Sequence, residues 1–160
     1  EEPSSMIALG QDTEDGRRNF RILQEQLAEV CAERKLVMPK LEWVEIGKGD
    51  RVATHVDTFQ KLIDHVDDDD ELFACMTFGT KPVSQAVLMA VQYAYRIKRN
   101  TSISCILYGG VDRSESQDAG LWSSLVYDET ALVQLDEIVR LLADRGVANP
   151  REAIRQILSL

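Results

Sequence analysis

The run Thr77-Phe78-Gly79-Thr80-Lys81 gathers the residue types that hold a phosphate. Its two hydroxyls can donate to phosphate or ribose oxygens, the lysine adds a point charge with three donors, and the glycine lets the backbone approach a ligand closely. It follows the apolar segment 72–76 and leads into a stretch of helical periodicity with Pro82 near its start. Proline suits the first turn of a helix, where its missing N–H is no loss. A strand entering a helix through such a turn presents free amide N–H groups and the positive end of the helix dipole, and both favour an anion. Ser84 offers a further hydroxyl. The run is neither a Walker A loop nor a GxGxxG fingerprint, and turns of Gly, Thr and Pro also join strands to helices for purely structural reasons.

The elements that position this turn follow from the spacing of apolar residues. Met6–Leu9 reads as a short strand, and a helix over about 17–34 carries Phe20, Leu23, Leu27, Val30 and Cys31 on one face. A strand at 41–46 precedes a helix marked by Val52, Val56, Phe59, Ile63 and Val66, which the acidic run Asp67–Asp70 stops. The apolar run 72–76 is expected to be covered on both faces. A helix over about 82–98 turns Val83, Ala86, Val87, Ala90, Val91 and Ala94 inward, and residues 102–108 read as another buried-type strand. Residues 109–120 read as a long polar loop, a connection or a lid, and 123–127 as an edge strand. Leu132, Leu135, Ile138, Val139 and Leu142 define a fourth helix. A last helix starts at Asn149-Pro150-Arg151-Glu152, with cap, first-turn proline and capping-box glutamate in order. This alternation predicts one α/β domain over 1–160, a three-layer sandwich with a mostly parallel central sheet and helices on both faces.

In open α/β sheets ligands bind beyond the carboxyl ends of the strands. Three turns are expected there: Gly10-Gln11-Asp12-Thr13, Gly47-Lys48-Gly49-Asp50 and Thr77–Lys81. Tyr108 and Gly109, at the end of the strand 102–108, complete the candidate lining.

Composition narrows the function classes. A chain of 160 residues, 44% hydrophobic and 28% charged, is in the ordinary globular range. Its net charge of −9 argues against a partner as long and anionic as DNA or RNA. It leaves a small anion possible, because distant exposed charges are screened and local donors decide. Cys31, Cys75 and Cys105 form no CxxC motif, and Cys75 and Cys105 lie in apolar runs where a buried, inert thiol is expected. A reduced compartment is the simplest reading. His55 and His65, placed on one helix, have no ligand-spaced partners and read as surface or satisfied histidines. The run Asp67–Asp70 lacks the Gly and Glu of a calcium loop and reads as a solvated turn. Ser114 and Ser116 have no histidine nearby in sequence, so a serine hydrolase has no support, and Trp43 and Trp122 read as packing residues. No signal-peptide pattern and no apolar run of membrane length is read in these 160 residues. The polar opening run at 1–5, without methionine, is expected of a segment that follows another module.

The stretch 72–94 followed by 103–110, Ile-Ser-Cys-Ile-Leu-Tyr-Gly-Gly, resembles the core of the CARF domains (CRISPR-associated Rossmann fold). Their strand-to-helix turn often reads Asp, any residue, Thr-Gly-Gly-Thr-Lys, and Thr77, Gly79, Thr80 and Lys81 match it position by position. Cys75 stands in place of the aspartate and Phe78 in place of the first glycine. The segment 127–132, leading into an amphipathic helix, is also similar to that family. The resemblance implies a Rossmann-like sandwich and a two-fold homodimer. It further implies a cyclic oligoadenylate, tetra-adenylate favoured, across the dimer axis and bound without a cofactor or metal. The function it implies is a sensor in type III CRISPR antiviral signalling, controlling an effector attached upstream or acting in trans. The implied location is the cytoplasm, at the inner membrane if the upstream module is a membrane segment. Two alternatives remain open: a ring nuclease that opens the cyclic ligand, and a module that binds protein only. Slow or no ring opening is expected, because no histidine falls in the three turns and only Asp12 and Asp50 could take the 2′-hydroxyl proton.

Overall fold

Asp67–Asp70, which ends one helical stretch and opens a strand, forms a turn whose bonds show how the chain is organised. The computed structural model describes residues 3–49, 51–112 and 123–159. In order the elements are β1 (Ser5–Gly10), α1 (Glu14–Arg34), β2 (Lys40–Glu45), α2 (Val52–Ile63), β3 (Glu71–Cys75), α3 (Lys81–Ile97), β4 (Ser102–Asp112), β5 (Ser123–Asp128), α4 (Thr130–Asp144) and α5 (Pro150–Leu158). The protein is α/β. Its strands form two sheets, a β1-β2 pair and a three-stranded β3-β4-β5 sheet. Two compact units result, Glu1–Val66 with Lys81–Ala90, and Asp67–Thr80 with Val91–Leu160.

In the first unit β1 and β2 run parallel, from Ser5 opposite Lys40 to Gly10 opposite Glu45. Helix α1 starts where Thr13 accepts the Gly16 N–H at 3.0 Å and ends at Lys35 in the left-handed region, φ 56°. Cys31, Val44 and Ile46 are buried, and Phe20 meets Trp43 edge-on with centroids 5.1 Å apart. Trp43 is thus a packing residue, as expected. Leu23 and Val30, on the same predicted stripe as Cys31, remain exposed. Thr58 on α2 is fully buried because its hydroxyl donates back to the Thr54 carbonyl at 2.9 Å. Helix α2 stops at Ile63, so His65 lies beyond it, exposed, with Nδ1 2.7 Å from the Lys61 carbonyl. His55 departs from expectation, since both ring nitrogens are buried with no partner among the described residues.

In the second unit β3 pairs parallel with β4, and β4 antiparallel with β5. Strand β4 runs on through Gly109-Gly110-Val111-Asp112, where composition predicted a loop. Backbone pairing needs no side chains, and β5 supplies partners for all four of those residues. The rest of the expected loop, with Ser114, Ser116 and Trp122, lies outside the described residues. The expectation of double-sided coverage is also corrected. Glu71, Phe73 and Cys75 are exposed while Leu72 and Ala74 are half-buried, the alternation of a strand with one packed face. Ile106 on β4 and Ala94 on α3 are fully buried, with Val91 and Val133 nearly so.

The acidic turn is bonded as well as solvated. Asp69, at φ 67°, donates its N–H to the Arg99 carbonyl at 2.9 Å, and Asp68 accepts the Arg99 N–H at 2.9 Å. Asn100 bonds the Asp69 carboxylate at 2.9 Å, and the Ser102 N–H reaches the Asp70 carbonyl at 3.0 Å. Two turns at the amino ends of β3 and β4 therefore clasp each other. Aspartate tolerates the left-handed region better than most side chains, which suits position 69.

Helices α3 and α4 are joined by a network. Arg96 pairs with Asp136 at 2.6 Å and with Glu137 at 3.0 Å, while Arg140 bonds Glu137 and reaches Asp144 at 2.7 Å. The Arg140 hydrogen bonds, with help from Arg96, pull the Glu137 carboxyl from the usual value of 4.5 down to about 2. A carboxyl held low in the folded state stabilises the protein above its unfolded pKa, and that contribution is lost as pH falls through the folded value. Glu137→Gln should cost on the order of 1 kcal/mol at pH 7 and flatten the acid-induced loss of stability between about pH 4.5 and 2. Denaturant midpoints across that range, for both proteins, check it.

Candidate anion-binding turn

The Thr77–Lys81 turn is held by its first residue. Beyond β3, the Met76 N–H still reaches the Leu107 carbonyl of β4 at 2.9 Å. The next link passes through a side chain, with Thr77 Oγ1 accepting the Gly109 N–H at 2.7 Å. Cys75 Sγ lies 3.1 Å from the same oxygen. Cys75 is exposed, contrary to expectation, because it falls on the open face of β3. An apolar run cannot reveal which of its alternating residues faces water.

Past Thr77 the chain turns sharply. Phe78 projects with 87% of its surface exposed, and Gly79 takes φ 110°, which side-chain-bearing residues rarely adopt. Thr80 returns to extended backbone, φ −78° and ψ 157°, as the cap of α3, but its side chain bonds no helix N–H. Lys81, exposed, is the first helical residue and Pro82 the second, with no acid in the first turn. Ser84 is half-buried on that first turn. The start of this 17-residue helix therefore combines amides without a side-chain cap, the positive dipole end and one lysine, an arrangement matched to an anion.

The start of α1 is built the other way. Thr13 occupies the Gly16 N–H, and Glu14 and Asp15 fill the first turn with negative charge. Gly10 lies under the Trp43 ring, so closely that a Cβ there would collide with it. Asp12 is ion-paired with Arg17 at 2.5 Å. The Arg17 hydrogen bond, aided by the charges of Arg17 and Lys48, holds its carboxyl below the usual range, which weakens it as a proton acceptor. Gln11 accepts the Thr13 N–H through its carbonyl at 2.7 Å.

Gly47 and the exposed Lys48 follow β2, and the Ile46 N–H bonds the Gly10 carbonyl at 2.9 Å, so this turn lies beside Gly10–Thr13. Helix α2 likewise begins without a side-chain cap bond or first-turn acid. Asp50 lies outside the described residues. The predicted site residues thus form two groups. Gly10–Thr13 and Gly47-Lys48 adjoin within the first unit, to which Lys81 and Ser84 also belong, and Thr77, Phe78, Gly79 and Thr80 lie with Tyr108 and Gly109 in the second. The link that sequence reasoning missed is the Thr77–Gly109 bond, which only strand register reveals.

Among the described residues no cluster of His, Cys, Asp and Glu is placed to hold a metal, and no helix is long and apolar enough to cross a membrane. A crevice of about 300 Å³ between α4 and α5 is lined by Val139, Leu142, Val147, Ile154 and their neighbours, with no donor for a phosphate. Compared with known proteins, the chain matches no family model and no curated sequence.

Gly79→Ala should destabilise the protein by roughly 1 to 3 kcal/mol, because a Cβ is strained at this φ. A lower urea midpoint at unchanged slope checks it; an unchanged midpoint would mean that the turn relaxes freely.

Proposed function

We propose that this protein is a sensor domain that binds a cyclic oligoadenylate, with the Thr77–Lys81 turn and the start of α3 taking a phosphate. The observation that carries the reading is the α3 start: no side-chain cap, no first-turn acid, and an exposed Lys81 two residues after a left-handed glycine. Thr77, Gly79, Thr80 and Lys81 are also the positions that resemble the CARF motif. The proposal includes a Rossmann-like sandwich with a mostly parallel sheet, cytoplasmic placement, and a homodimer in which each protomer supplies one turn to half of a symmetric ring. Cyclic tetra-adenylate is the favoured ring, and type III CRISPR antiviral signalling the setting. The effector that reads the signal lies upstream or on another protein. Turnover of the ring is slow or nil in this reading, since Asp12 is occupied by Arg17.

Titrating the protein with cyclic tri-, tetra- and hexa-adenylate, while following ligand integrity, tests the reading. Lys81→Ala should weaken binding about ten- to hundredfold, the loss of a charge-assisted contact, at unchanged thermal stability. Equal affinity in a folded variant would remove the site. Many turnovers per minute, abolished by Lys81→Ala, would replace the sensor with a ring nuclease. Light scattering should show a dimer that binds one ring; a monomer that binds a ring alone contradicts the symmetric arrangement.

A further inference from the structure

Two exposed tyrosines stand on the second unit's sheet, one residue from the anchor of the turn. Tyr108 precedes Gly109, whose N–H is held by Thr77, and its antiparallel partner on β5 is Tyr127. The rings are stacked, with centroids 6.4 Å apart and planes inclined by 26°. They remain 45% and 47% exposed. The next residue on that face of β4 is Gly110, which carries no side chain; a Cβ there would come within 3.3 Å of Tyr127 Cε2. The edge of the Tyr127 ring therefore lies over Gly110, in space that a side chain there would take.

We propose that Tyr108 and Tyr127 form a stacking platform for a nucleobase, with Tyr127 the residue that makes the site favour an adenine-bearing ligand over a bare polyphosphate. The inference rests on the reading of Thr77–Lys81 as the phosphate site. Tyrosine gives a large planar surface with only two side-chain torsions to fix, and pairing of β4 with β5 fixes both backbones in advance. Stacking selects a planar π-face without hydrogen-bond readout, so it separates nucleotides from inorganic phosphates more sharply than it separates one base from another. The phosphate turn supplies charge recognition and the tyrosine pair supplies ring recognition. The Thr77–Gly109 bond ties the first residue of the turn to the strand that carries Tyr108. Tyr127 escaped sequence reasoning because its value depends on lying opposite Tyr108, a matter of register.

Binding of cyclic tetra-adenylate and of inorganic tripolyphosphate is measured for the unaltered protein, Tyr127→Phe and Tyr127→Leu, with thermal melts and light scattering on each. Base–aromatic stacking implies a loss of roughly five- to hundredfold. Tyr127→Leu should therefore lose tetra-adenylate affinity on that scale and keep tripolyphosphate affinity, while Tyr127→Phe binds both probes as the unaltered protein does. Unchanged tetra-adenylate affinity in folded Tyr127→Leu overturns the platform and leaves the phosphate turn standing. Equal loss of both probes also overturns it, and makes Tyr127 a support of the turn. Loss of the dimer together with ring affinity assigns the pair to a contact between copies and overturns it too. An unaltered protein that binds tripolyphosphate but not the ring overturns the platform alone; one that binds neither overturns the phosphate reading and the platform with it. If the melt shows Tyr127→Leu unfolded, Tyr127→Val, a stronger strand former, carries the same comparison.

Discussion

The hydroxyl of Thr77 does what the backbone of β3 can no longer do at that point. Parallel pairing with β4 ends at the Met76 N–H, and the chain must then turn away towards α3. By accepting the Gly109 N–H at 2.7 Å, Thr77 extends the pairing by one step through its side chain and frees its own backbone to turn. A neutral hydrogen bond of this kind contributes only about 0.5 to 1.5 kcal/mol net. Its larger effect is geometric. The left-handed Gly79, the extended Thr80 and the start of α3 all follow within four residues of it.

Electrostatics separates helix starts that look similar in sequence. Both α1 and α3 follow a strand and a glycine-containing turn, yet α1 is capped by Thr13 and opens on Glu14 and Asp15. It has already satisfied its dipole from within. Helix α3 has no such internal anion, and Pro82 removes one donor without adding charge. Net charge is a poor guide here. The chain carries −9, but an anion bound as proposed at α3 would meet amides and a lysine at contact distance, where screening by salt is least effective.

Element type and order were legible because they depend on periodicity and punctuation. Asn149 does cap α5, accepting the Glu152 N–H at 3.3 Å, and the strand expected at 123–127 does lie at a sheet edge. The inward face of α3 was legible, with Ala86, Ala90, Val91 and Ala94 buried as expected, but the covered face of β3 was not. Phe73 and Cys75 sit in a continuous apolar run yet face outward, and on the α1 stripe Cys31 is buried as expected while Leu23 and Val30 are not. A run of apolar side chains reports hydrophobicity but not which alternate residues meet a neighbour. The glycines at 109 and 110 were read as loop for a related reason, since glycine is permissive and only the partner strand decides its conformation. Of the site, the anion-matched chemistry of Thr77–Lys81 could be seen in the residues themselves. The Thr77–Gly109 bond, the stacking of Tyr108 on Tyr127 and the pairing of Asp12 with Arg17 depend on register or turn geometry, which no local window contains.

The clasp between Asp67–Asp70 and Arg99–Asn100 gives the β3–β4 pair a mechanical character. At the amino end the strands are locked to each other through Asp68, Asp69 and Asp70; at the carboxyl end they are tied through Met76 and Thr77. Sliding one strand along the other would break both sets of bonds together, whereas tilting the pair as a body breaks neither. The β3–β4 pair is therefore pinned at both ends, and its two strands keep their register as one stiff body.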